Sequence, residues 1–150
     1  RLVNLILAGT LTGNEVGSLV TVHPALDSLP PRAHLRAEQA VTRRYGRIQP
    51  VFMSTTVASF LPVLALTRNR GSAPFYCSLA GMLCYIAMLA ITLTANLPIN
   101  KRLLELSPDA TPGEEFRELR ARWNRLHTAR NLLNLTGLIL AVLGALSKSD

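Results

Sequence analysis

Charge is the first thing this 150-residue chain has little of: 17% of its residues are Asp, Glu, Lys or Arg against 49% hydrophobic, and the charges avoid four long segments. A water-soluble domain does not leave runs of that length uncharged, so the solvent this chain is built for is lipid. Acidic residues are scarcer still, nine against sixteen lysines and arginines, for a net charge of +7. A single basic stripe between ordinary soluble helices would point to nucleic acid. Here the basic residues lie in the connections between apolar runs, so lipid headgroups are the expected counter-charge and no nucleic-acid partner is expected. The two cysteines, Cys77 and Cys84, stand seven residues apart on one helical face. A disulfide cannot span two helical turns, and a metal pair would want a shorter spacing with histidine neighbours. They read as small apolar groups. A Gly-rich phosphate loop, zinc-finger spacing, a nucleophile elbow, internal repeats and low-complexity tracts are all missing, so no soluble-enzyme or organic-cofactor motif is present.

What is there is apolar length. A bilayer core of about 30 Å needs about 20 helical residues. Four stretches supply spans, Leu2 to Val22, Val51 to Thr67, Pro74 to Leu97 and Ala129 to Leu146, within one integral membrane domain over 1–150. The expected fold class is all-α, a transmembrane four-helix bundle. Residues 30–47, with Pro30-Pro31 at the start and Tyr45-Gly46 at the stop, predict an additional cytoplasmic helix. Thr111-Pro112-Gly113-Glu114-Glu115 opens a helix that runs without a breaker into the last span, giving the fourth helix a long extension on which Trp123 would sit near the headgroups. Twelve of the sixteen basic residues fall on the side of the two long connections; Arg1, Arg68, Arg70 and Lys148 fall on the other. The positive-inside rule then puts both long connections in the cytoplasm and both termini outside. Arg1 stands where a Met would, so loss of at least one residue is expected; no cleavage pattern follows the first run, so a cleaved signal peptide is not.

The residues that cost free energy to bury carry the functional signal. Glu15 lies two-thirds along the first span, and His23 ends it before Pro24, about 80° away around the helix axis, so both can face one cavity. Glu15 can equally bond within the bundle. His34 and Glu38, four apart, share a face, a spacing that suits metal ligands or, for His34, an ordinary surface pair. Asn96 and Asn100 flank Pro98, where they can cap freed carbonyls or hold a substrate. Asn124, His127, Asn131 and Asn134 form one polar stripe that either joins helices or lines a pocket, with Arg130 beside it in need of a carboxylate or a headgroup.

The order of Gly13-Asn14-Glu15-Val16-Gly17, Val22-His23-Pro24-Ala25-Leu26, Glu38-Gln39-Ala40, Arg43-Arg44-Tyr45-Gly46, Asn96-Leu97-Pro98-Ile99-Asn100 and Trp123 to His127 with Arg130 resembles the anthrone oxygenase-like family of small four-helix membrane proteins. The resemblance covers nearly the whole chain. It implies four transmembrane helices and, for the named fungal members, oxidation of a polyketide anthrone to an anthraquinone by dioxygen without a dedicated organic cofactor. Many bacterial relatives have no assigned reaction, and the Arg- and Ala-rich composition suggests a bacterial cytoplasmic membrane.

Two functions follow as expectations. The first is a membrane-embedded oxygenase acting on a hydrophobic, aromatic or polyketide-like molecule, with Glu15 or His127 as the base that makes an enolate and Asn96, Asn100 and Asn131 holding substrate. Its metal-dependent form takes iron, copper or zinc on Glu15, His23, Glu38 and His127. The second is a non-catalytic binding, transport or assembly subunit whose polar stripe fastens helices. Gly9, Gly13 and Gly17 form a small-residue seam that permits close helix packing or a homo-oligomer under either reading.

Overall fold

The structure, a computed structural model, describes residues 1–108 and 111–147; Lys148, counted above among the outer basic residues, lies outside them. Among the described residues there are no strands, and four long helices, Leu2–Asp27 (α1), Pro31–Leu66 (α2), Ala73–Glu105 (α3) and Glu114–Leu146 (α4), are long and apolar enough to cross a membrane. The helix expected over 30–47 is not separate. It continues unbroken into the second span as the first half of α2. α4 carries the long extension that its unbroken sequence predicts.

The bundle is apolar outside and polar in its middle layer. Ile6, Val20, Val51, Leu61, Leu83, Leu132 and Ile139 are among the large side chains left exposed, while Glu15, Glu38, Asn96, His127, Arg130 and Asn134 are buried. In water that distribution would be inverted. Two apolar clusters bracket the polar layer along α2, α3 and α4. Ala8, Leu11, Met53, Phe60, Tyr85, Met88 and Ala141 pack at one end; Leu35, Leu103 and Phe116 pack at the other.

Glycines set the closest approach of α3 and α4. A Cβ on Gly137 would lie 2.9 Å from Tyr85 Cε2, and one on Gly144 would lie 3.0 Å from Ser78 Oγ. Gly137, Ala141 and Gly144 recur on one face of α4, continuing the line of His127, Asn131 and Asn134, so one stripe is polar at one end and small at the other. The seam expected at Gly9, Gly13 and Gly17 does no such packing within the chain, since a Cβ at any of them meets nothing within 4 Å. Cys77 and Cys84 are free and half-buried.

Prolines open the middle layer. Pro24 follows the π-helical turn Ser18–Val22 in α1, and Pro98 follows the π-helical turn Thr92–Asn96 in α3. A proline ring clashes with the carbonyl four residues back and cannot donate to it, and a widened turn relieves both problems. In α2, Pro50 is carried within an unbroken helix. Two helices, α1 and α3, are therefore widened at one level of the bundle.

Candidate functional site

At that level lies a cavity of about 50 Å³ whose lining includes Glu15, Ser18 and His23 of α1, Tyr45, Gly46, Gln49 and Pro50 of α2, Thr92 and Asn100 of α3, and Trp123, His127 and Arg130 of α4. A volume of this size accepts dioxygen, a water or the edge of a ring, not a three-ring body, for which pockets of roughly 300 Å³ and more are usual. Gly46 is exposed as well as cavity-lining, so the cleft reaches the surface beside α2. A larger cavity of about 550 Å³ sits at the far end, lined by Arg1, Asn4, Pro62, Leu66 and Arg68 among others. It gathers neither an acid nor an imidazole, so size and chemistry disagree, and the chemistry lies with the smaller one.

Glu15 is fixed from two sides. Gln49 Nε2 donates to its Oε1 at 2.5 Å, and Arg130 Nη2 donates to its Oε2 at 2.5 Å. Both ends of the Arg130 pair are within 5% of full burial, which makes this a desolvated charge pair rather than a surface one. His127 Nδ1 stands 3.5 Å from the same Oε2, close enough for attraction but without hydrogen-bond alignment. Asn131 Nδ2 donates to the His127 carbonyl at 3.0 Å.

A second centre lies alongside. Glu38 Oε1 lies 3.0 Å from His23 Nδ1 and pairs with Arg120 Nη2 at 2.9 Å, and the same Nη2 is 3.0 Å from His23 Nδ1, which donates to Glu38 in one tautomer and accepts from Arg120 in the other. Arg120 Nη2 also donates to Asn124 Oδ1 at 3.0 Å. His34 Nε2 stands 3.5 Å from Glu38 and 3.4 Å from Asp27 Oδ1. His34 is thus no surface pair: its side chain is 12% exposed, with its ring edge-on to Phe116 at 5.0 Å.

Aromatic rings join the two centres. Trp123 packs against His23 and His127 with ring centroids 4.5 Å apart in each case, and the two histidines meet edge to face at 5.5 Å. Its Nε1 donates to Asn100 Oδ1 at 2.9 Å, and the Arg120 guanidinium lies 4.8 Å from the ring centroid. Trp123 is therefore a wall of the cavity.

The residues expected to act together divide. Glu15, His23, Asn100 and His127 line the cavity, whereas Glu38, Asn96 and Asn131 do not. Asn96 is fully buried with neither amide atom partnered among the described residues, so it does not cap the carbonyls freed by Pro98. The four residues expected to share one metal fall into two centres, Glu15 with His127 and Glu38 with His23. Among the described residues no group of three or more His, Cys, Asp or Glu is arranged to hold an ion. Sequence reasoning left out Gln49, Arg120 and Asp27. Arg120 had a signal, since it extends the α4 polar stripe four residues upstream of Asn124.

The anthrone oxygenase family profile matches residues 39–140. The chain belongs to the anthrone oxygenase family. It is 30% identical to the anthrone oxygenase ptaC of Pestalotiopsis fici over 85% of this chain and 96% of that relative. It is 31% identical to the anthrone oxygenase encC of Aspergillus fumigatus over 96% of this chain and 88% of the relative, and 27% identical to an anthrone oxygenase of Claviceps purpurea over 89% and 80%. These members of the family are fungal, and the bacterial origin suggested by composition finds no support among them. No solved structure matches the chain. The family match includes Gln49, Asn100, Trp123, His127 and Arg130 of the cavity, while Glu15, His23 and Glu38 precede it.

Proposed function

We propose that the protein is a bilayer-embedded oxygenase that converts an activated ring methylene of a hydrophobic, polyketide-type aromatic to a carbonyl with dioxygen. The observation that carries this reading is the pairing of His127 with Glu15, 3.5 Å apart at the wall of a buried cavity, in a chain whose relatives are named anthrone oxygenases. His127 is the general base and Glu15 balances the imidazolium that forms, the division of labour that a carboxylate and an imidazole adopt elsewhere.

The electron and atom balance is simple. His127 removes one methylene proton and leaves a conjugated enolate. The enolate carbon gives its electrons to dioxygen and becomes a peroxide, the peroxide takes up a proton, and loss of water leaves the carbonyl. Methylene plus dioxygen thus becomes carbonyl plus water. Asn100, held by Trp123, is placed to hydrogen-bond an oxygen at the cavity wall. The 50 Å³ cavity takes the reacting edge, and the ring body lies in the cleft past Gly46. Substrate arrives from the lipid, and the basic long connections face the cytoplasm.

A second, non-catalytic reading is favoured by one observation: each buried carboxylate already has an arginine, as a helix fastener would. Oxygen uptake by detergent-purified protein supplied with an anthrone separates the two. Wild-type turnover with His127→Gln at background is expected; equal rates for both would remove His127 from the chemistry.

A further inference from the structure

The reaction as written leaves one proton on His127 and later asks for one back, and the opening of the cavity past Gly46 is where the ring body of the substrate lies. The second polar centre has no part in that chemistry, yet it runs from the cavity wall to the protein surface. We propose that His23, Glu38, His34 and Asp27 form a proton relay that connects His127 to water outside the bundle. This rests on the reading of His127 as the base.

The geometry is a sequence of short steps. The His127 and His23 rings line the same cavity with centroids 5.5 Å apart, a gap within the span of one water. His23 Nδ1 is 3.0 Å from Glu38 Oε1. In its Nδ1–H tautomer, His23 takes a proton at the other ring nitrogen and releases the Nδ1 proton to Glu38, and the ring is neutral before and after. His34 Nε2 sits 3.5 Å from Glu38 and 3.4 Å from Asp27, between two carboxylates and hydrogen-bonded to neither. It accepts on Nε2 from one, becomes imidazolium, and gives the same proton to the other by a small rotation. The Asp27 side chain is 50% exposed, whereas Glu38 is 1% exposed, so the sequence ends at solvent.

Two further features fit transport better than fastening. Fastening Glu38 requires one cation, and Arg120 already supplies it at 2.9 Å; the two histidines beside the same carboxylate are then surplus to charge balance. Arg120, facing Glu38 from α4, also keeps that carboxylate from holding the proton, so the relay has no resting trap at its centre. Arg130 is committed to Glu15 and repels a proton lingering on His127. Both arginines are positioning residues here.

The test is the exchange of an anthrone's methylene protons for deuterium under argon, using the full chain in detergent, where the base works without dioxygen. His34→Ala and Asp27→Asn are each expected to slow enzyme-dependent exchange about tenfold, less than the hundredfold or more for loss of the base itself, with imidazole in the buffer restoring His34→Ala. Exchange within twofold of wild type in both variants, with His127→Gln inactive, overturns the relay and leaves the base assignment standing. A slow His34→Ala that imidazole does not restore, beside a normal Asp27→Asn, makes His34 a packing ring against Phe116 and also overturns it. Wild-type exchange in His127→Gln removes the base assignment, and the relay falls with it.

Discussion

Replacing Glu15 with Gln keeps the shape of the side chain and removes its charge. Arg130 is then left 4% exposed with no counter-ion. Charge centres about 4 Å apart at an effective dielectric of about 20 attract by about 4 kcal/mol, and losing one partner of a buried pair costs about 3–5 kcal/mol. Against a typical stability of about 5–15 kcal/mol that is enough to lower the unfolding midpoint substantially. Arg130→Met makes the reciprocal change and leaves the Glu15 carboxylate with Gln49 at 2.5 Å as its hydrogen-bond donor. The double variant buries two neutral groups of similar volume, and its stability is expected to return to within about 1 kcal/mol of wild type.

Unfolding of the two single variants and the double variant in mixed micelles measures the coupling directly, expected at about 5 kcal/mol or more from those figures. Activity separates from stability in the same proteins. The double variant recovers its fold yet lacks the carboxylate that balances imidazolium, so turnover stays down about a hundredfold. A coupling energy below about 1 kcal/mol would mean the pair is solvated, as surface pairs are, and would refute the buried arrangement. A double variant with full turnover would refute the role given to Glu15.

Gly137→Ala places a Cβ 2.9 Å from Tyr85 Cε2 and is expected to lose about 1–3 kcal/mol, whereas Gly13→Ala meets nothing within 4 Å and gains up to about 1 kcal/mol, as thermal midpoints will show. Gly46→Trp fills the mouth of the cleft without touching the polar layer, so KM for a three-ring substrate is expected to rise at least about tenfold with the unfolding midpoint unchanged.

The four helices were legible because apolar length is a local property. Nothing about tertiary contact is needed to see that Pro74 to Leu97 spans a bilayer. The continuity of α2 was not legible for the same reason. Gly46 reads locally as a stop, but the helix runs on through it and through Pro50 into the second span. The seams show a similar limit. Gly9, Gly13 and Gly17 have the regular spacing, yet α3 and α4 approach closely at Gly81, Gly137 and Gly144, where Tyr85 and Ser78 happen to lie opposite. The contacts of Trp123 were not legible because an aromatic near a span's end fits a headgroup belt and a cavity wall equally well, and only tertiary contact brings its ring against His23 and His127.

Charge balance alters the case for a metal most. Burial of Glu15 and Glu38 in one membrane protein suggested an ion to offset them, because two desolvated carboxylates near each other repel. The structure supplies two offsets of its own, both from α4: Arg130 for Glu15 and Arg120 for Glu38, ten positions apart on the helix. Each arginine comes with its own imidazole partner on the carboxylate, His127 in one centre and His23 in the other. A cation shared by all four residues would have to draw the centres together past Trp123 and displace a guanidinium from each. The charge an ion would offset is already offset, and what the arrangement adds beyond neutrality is a row of histidines between fixed carboxylates, the geometry on which the proposed relay rests.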